Sequence, residues 1–172
     1  MIFRDLKLTD TNHFVAMEYY LLMLNRTFLI VVDKEFLFGI KVNGLISIEA
    51  GDDPIAKSLS RAMAVRGNLG DPNSYIKAKY IKQIEDIDLT GPDFLKVNKS
   101  NFRIRLSDIE KVFYDPKKKW GMGYYPHDGK VYIKMKSKKK REFIILGRQL
   151  GKVISSFIEQ AAANAHNISL LQ

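Results

Sequence analysis

Two apolar runs, residues 28–32 (FLIVV) and 36–42 (FLFGIKV), are held apart only by Asp33-Lys34-Glu35. This pair constrains the fold more than any other feature. β-Branched and aromatic residues at such density favour extended chain, and a three-residue polar gap suits a hairpin turn. The runs therefore predict two antiparallel strands. Asn43-Gly44 is a strong turn signal, and residues 45–49 (LISIE) read as a third strand.

The last third of the chain alternates again. Phe102, Ile104 and Leu106 face one way, with Arg103 and Arg105 opposite. Ile109, Val112 and Tyr114 extend a following strand. After a long loop, residues 115–129, Val131, Ile133 and Met135 alternate with Tyr132, Lys134 and Lys136. A tight polar connection at 137–140 leads into a strand at 142–146 that stops at Gly147. The chain closes with an amphipathic helix over 149–162, whose stripe is Leu150, Val153, Ile154, Phe157, Ile158 and Ala161; residues 163–172 are expected to fray.

The remaining segments read as follows. Residues 1–8 predict a short strand. Thr9 to Asn12 supply helix caps, and Phe14, Met17, Leu21 and Leu24 repeat with the period of an N-terminal helix, although 19–24 also fits a strand. Asp53-Pro54 and Asp71-Pro72 each place a capping acid before a proline suited to the first helical position. Apolar residues follow both pairs at helical spacing, so residues 50–99 are expected to form a helical insert, closed by Gly91-Pro92. Strands grouped in runs argue for an α+β fold. The expectation is one domain, 1–172, with a bent antiparallel sheet or barrel of six to seven strands capped by the C-terminal helix. Its core strands and helix lie in 27–49 and 102–163.

At 172 residues the chain is long enough to bury a core. It contains no cysteine, which excludes disulfides, thiolate nucleophiles and cysteine-ligated metals. No apolar stretch approaches the ~20 residues of a spanning helix, and no segment has the layout of a signal peptide. A cytoplasmic protein, able to sit peripherally at a membrane, is the expectation.

Charge is distributed unevenly. Residues 1–90 carry 11 basic and 12 acidic side chains, whereas residues 91–172 carry 17 and 7. The stretch 111–141 holds 11 basic residues against Asp115 and Asp128, and its net +9 equals that of the whole chain. Such asymmetry points to an anionic partner, or else to a solvated face that keeps the protein soluble.

Nothing in the sequence names a catalytic apparatus. His13, His127 and His166 have no metal-ligand spacing, and His127, within Pro126-His127-Asp128-Gly129, reads as a turn residue bonding its neighbours. The paired acids Asp52-Asp53 and Glu85-Asp86 read as caps and solvated faces. The expectation is therefore a non-enzyme without cofactor or metal.

The best candidate site is the long loop. Lys117, Lys118 and Lys119 run into Trp120, the only tryptophan, and Tyr124 follows, with Lys130 at the start of the next strand. Cations beside amphipathic aromatics suit a headgroup interface and equally suit single-stranded nucleic acid. The alternative is that Trp120 and Tyr124 fold back on the sheet. A second basic cluster, 137–141 (SKKKR), lies across the strand 130–136, roughly 23 Å away at strand rise. A small headgroup would meet one cluster, whereas a long polyanion would touch both.

Three stretches resemble bacterial pleckstrin-homology-like (PH-like) or GRAM-like domains. TFLIVVDKEFLFGI is similar to their opening hairpin, FRIRLSDIEKVFYD to their extended strand stepping into the next, and GKVYIKMKSKKKREFIILG to their closing hairpin before a C-terminal helix. The N-terminal helix and the insert depart from a minimal domain of this kind. The resemblance implies a binding scaffold for lipid headgroups, peptides or other proteins, with Ile154 and Phe157 plugging an open corner of the sheet. The reading is a binding module for an anionic membrane surface or a protein partner, with nucleic-acid binding across 111–141 as the alternative.

Overall fold

Asp33 makes the hairpin turn between the two apolar runs: its Oδ1 accepts from the Glu35 and Phe36 amides at 2.7 and 2.6 Å, while the Asp33 amide donates to the Phe36 carbonyl. The computed structural model describes residues 1–21, 24–44, 67–119, 122 and 125–169. Within them lie strands β1 (His13–Leu21), β2 (Leu24–Val32) and β3 (Phe36–Asn43), then helices α1 (Ala78–Lys82) and α2 (Asp93–Val97). Strands β4 (Phe102–Arg105), β5 (Ile109–Asp115), β6 (His127–Met135) and β7 (Lys140–Leu146) follow, and α3 (Gly151–Ser169) closes the series.

The seven strands form one sheet in the order β4-β3-β2-β1-β7-β6-β5, every neighbouring pair antiparallel. The two edge strands are consecutive in the chain, joined only by the 3-10 turn Leu106–Asp108. A flat sheet would hold them six strand spacings apart, so a three-residue link requires the sheet to curl. The turn is tied to both flanking hairpins, because the Leu106 amide donates to the Glu35 carbonyl at 2.8 Å and the Lys136 amide to the Asp108 carbonyl at 2.9 Å. The result is an antiparallel half-barrel with a C-terminal helix, an α+β fold.

Both faces of the central strands are buried. The concave face carries Phe14, Phe28, Ile30, Ile133 and Phe143, closed by Ile154, Ile158 and Ala162 of α3. Phe157 is half-buried against Phe14, ring centroids 6.1 Å apart. The convex face carries Val15, Met17, Leu29, Val31, Phe38 and Ile144, covered by Phe3, Tyr75, Ile84, Leu89 and Phe94. Two-sided burial explains why β2 and β3 read as unbroken apolar runs rather than as alternation. Gly39 is required here, because the Phe102 ring of β4 lies where a Cβ would stand. That close approach lets Phe102 reach the interior and stack on Phe143, 6.1 Å away at 16°.

Several expectations give way. The N-terminal helix expected from Phe14, Met17, Leu21 and Leu24 is instead β1 and the start of β2. Apolar residues needed on both faces of one strand fall by chance at three- and four-residue intervals, which imitates a helical stripe. Residues 1–8 contain a 3-10 turn, Phe3–Asp5, and a single bridge from Ile2 to Asp88. The strand at 45–49 and the Asp53-Pro54 cap lie outside the described residues. Asp71 does cap, accepting from the Asn73 amide at 2.9 Å, but of a 3-10 turn, Pro72–Tyr75, rather than a longer helix. Helix α3 continues to Ser169 instead of fraying at 163, and His166 Nε2 lies 3.1 Å from the Ile109 carbonyl oxygen. Leu150 and Val153, expected in its buried stripe, are exposed.

Candidate functional site

Strand alternation sorts the basic stretch 111–141 onto two faces. In β5 and β6, Val112, Val131 and Ile133 point into the concave core, so Lys111, Phe113, Lys130, Tyr132 and Lys134 occupy the convex face. The packing that covers β1–β3 does not include Phe113 or Tyr132. Register sets Phe113 opposite Tyr132, and Tyr132 opposite Glu142. The Phe113 and Tyr132 rings stack at 4.7 Å and 19°, with Phe113 at 36% exposure on the terminal strand of the sheet. Lysines surround this pair. The Lys140 ammonium lies 3.9 Å from the Tyr132 ring centroid and 5.6 Å from that of Phe113, and the Lys111 ammonium 5.9 Å from Phe113.

The loop between β5 and β6 is pinned at its described residues. Asp115 Oδ1 accepts the Lys117 amide at 2.9 Å, and its Oδ2 pairs with the Lys130 ammonium at 3.0 Å. That backbone bond, then the Lys130 partner, hold the Asp115 carboxyl below the usual carboxylate range. Lys130 is only 14% exposed; burial opposes its charge, but the bond to Asp115 and the neighbouring charges prevail and raise its pKa. His127 Nε2 accepts the Lys119 amide at 3.0 Å while Nδ1 faces the Tyr125 carbonyl at 3.1 Å, so the ring is a brace between loop residues, as a turn residue would be. Met122 is buried in the convex core, and the Lys119 ammonium sits 4.9 Å from the Tyr19 ring centroid.

Of the sequence-expected site residues, Lys117 and Lys118 are exposed, Lys119 is half-buried and Lys130 is occupied by Asp115. Trp120 and Tyr124 lie outside the described residues. Lys134 pairs with Glu110 at 2.8 Å. Lys111, Lys117, Lys118, Lys136, Lys138, Lys139 and Lys140 are exposed and, among the described residues, make no ion pair. They gather at both ends of β6, whose nine residues span roughly 26 Å.

Sequence reasoning missed Phe113 and Tyr132. The signal was present: a strand that buries Val112 and Tyr114 must turn Phe113 outward. It also missed a cluster on the concave side. Arg141 Nη1 donates to both Glu18 oxygens at 2.9 Å, and Arg26 Nη2 lies 3.6 Å from Glu18 Oε2. The Arg141 guanidinium rests 3.5 Å from the Phe102 ring centroid, and Arg26 lies over Tyr20 and Phe28. Burial pushes the Arg141 pKa down. Among the described residues Arg26 Nε is buried without a hydrogen-bond partner. These residues come from β1, β2, β4 and β7, which only the fold brings together.

Among the described residues no three His, Asp or Glu side chains converge as a metal site, and no described helix is long and apolar enough to cross a membrane. No protein-family model matches this chain, and no curated protein matches it.

Proposed function

We propose that this protein is a non-catalytic, PH-like binding module that engages a polyanionic surface through the convex face of β5, β6 and β7 and the adjoining loop. The architecture supports the PH-like part: a four-strand meander and a three-strand meander meet at β1 and β7, and a C-terminal helix crosses the concave side. The observation that carries the binding part is the set of seven exposed lysines that, among the described residues, make no ion pair and gather at both ends of β6, with the exposed Phe113 between. Elsewhere on this face lysines are matched by carboxylates, as Lys130 is by Asp115 and Lys134 by Glu110. Unmatched cations cost self-repulsion that a bound polyanion removes. Acidic membrane leaflets and nucleic-acid phosphates both present such a surface, and each lysine near an acidic leaflet contributes about 1 kcal/mol.

Binding to long-chain inorganic polyphosphate and to phosphatidylserine vesicles, measured at several salt concentrations, tests the reading. Binding to at least one of them should weaken steeply with salt. The double variant Lys117→Ala/Lys118→Ala and the triple variant Lys138→Ala/Lys139→Ala/Lys140→Ala should each weaken it. Absence of binding to any polyanion at low salt would overturn the reading.

A further inference from the structure

We infer that the polyanion is single-stranded nucleic acid, with a base stacked on Phe113; the inference rests on the polyanion reading above. A small headgroup needs cations converging on a point, whereas these seven lysines lie at both ends of a strand spanning roughly 26 Å. Between the two groups stands the aromatic pair. Phe113 and Tyr132 face each other at 4.7 Å, the spacing of neighbouring strands, so the rings stand side by side across the sheet. Among the described strands β5 ends the sheet, and Phe113 is 36% exposed there, so part of its ring is open to a planar partner. Lys111 and Lys140 share one cross-strand row with Lys134, next to that ring on its Met135 side, and so offer cations to a phosphate adjoining a stacked base. A membrane would call for the exposed ring at a protruding tip; Phe113 instead sits in the middle of β5.

The preference for a single strand follows from the same geometry. In a duplex both faces of every internal base are occupied by neighbours, so away from the ends Phe113 would have nothing to stack on. With an unpaired strand each base offers a π-face, and such stacking is sequence-tolerant.

The test uses the full chain and four probes: a ten-nucleotide single-stranded oligonucleotide, the duplex of the same sequence, inorganic polyphosphate of matched charge, and phosphatidylserine vesicles. The oligonucleotide should bind most tightly. Phe113→Leu keeps the apolar bulk but removes the ring; it should weaken oligonucleotide binding roughly 5- to 100-fold. It should leave polyphosphate binding unchanged, and Phe113→Trp should restore the loss. The triple lysine variant should instead shallow the salt dependence, by about 0.7 log units per log of salt for each phosphate contact removed. Equal affinity for duplex or polyphosphate, or a Phe113→Leu variant that binds the oligonucleotide like the parent, would overturn the inference and leave the polyanion reading standing. Binding to vesicles alone would replace nucleic acid by a membrane surface. Binding to none of the four would sink both readings.

Discussion

Lys140 and Arg141 are neighbours in the chain and project from opposite faces of β7: the Lys140 ammonium lies 3.9 Å from the Tyr132 ring on the convex side, and the Arg141 guanidinium 3.5 Å from the Phe102 ring on the concave side. One basic run is thereby divided between two roles. Lys140 is free for a partner. Arg141 is a strut, neutralised by Glu18 and packed on a ring that also stacks on Phe143.

The division gives opposite expectations for two adjacent substitutions. Lys140→Ala should leave thermal stability within about 0.5 kcal/mol and weaken polyanion binding. Arg141→Ala should leave Glu18 without its bidentate partner and uncover Phe102. The pair is only partly screened from water, so a cost of about 2–4 kcal/mol is expected, toward the low side of a fully buried pair. Chemical denaturation of both variants checks this; equal stability would show that the concave cluster contributes nothing.

Asp128 joins the sheet to the start of α3. Its Oδ2 accepts the Gly151 amide at 2.7 Å and its Oδ1 accepts the Tyr114 hydroxyl at 2.8 Å. Asp128→Ala should destabilise by about 1–2 kcal/mol, as loss of a helix cap does. Burial first, and then the bond to Asp128, raise the Tyr114 phenol to about 12 from its ordinary 10.0. A phenol raised by folding holds its proton more firmly in the native state. Its contribution is therefore complete below pH 10 and is lost as pH rises toward 12. Tyr75 and Tyr132 are raised by burial as well, so phenolate absorbance should show several late-titrating tyrosines in the parent and one fewer in Asp128→Ala.

Asp115 works at the acid end. The Lys117 amide and then the Lys130 ammonium depress its carboxyl. Its stabilisation is present above the ordinary carboxylate pKa of about 4 and is lost as pH falls below it. Acid unfolding of Asp115→Asn should start from lower stability at neutral pH and show a weaker dependence on pH below 4. An unchanged profile would mean that Asp115 does not hold the loop.

Gly39→Ala should be among the most damaging small substitutions. The added methyl would occupy the position of the Phe102 ring, which cannot retreat without opening the contacts to Phe28 and Phe143. A cost of about 1–3 kcal/mol follows from overpacking of this kind. The double variant Gly39→Ala/Phe102→Leu should recover part of it in a melting experiment, and no recovery would locate the strain elsewhere.

The sequence by itself determined the strands whose two ends are signalled locally. Asp33-Lys34-Glu35 set the β2–β3 hairpin, the alternation around Ile104 and Ile133 set β4 and β6, and the periodicity of Ile154 and Ile158 set α3. Period and turn chemistry are local properties, so they survive without knowledge of the fold. Tertiary structure alone decided that Phe14 to Leu21 is a strand, because burial on both faces removes the two-residue period that would have marked it. It alone decided which lysines are free. Lys130 and Lys134 have carboxylate partners on β5, Arg141 finds Glu18 123 positions earlier, and no local pattern encodes contacts at such separation. The basic run in the sequence therefore announced a charged region, while strand pairing and the two faces of the sheet selected seven lysines and one phenylalanine from it.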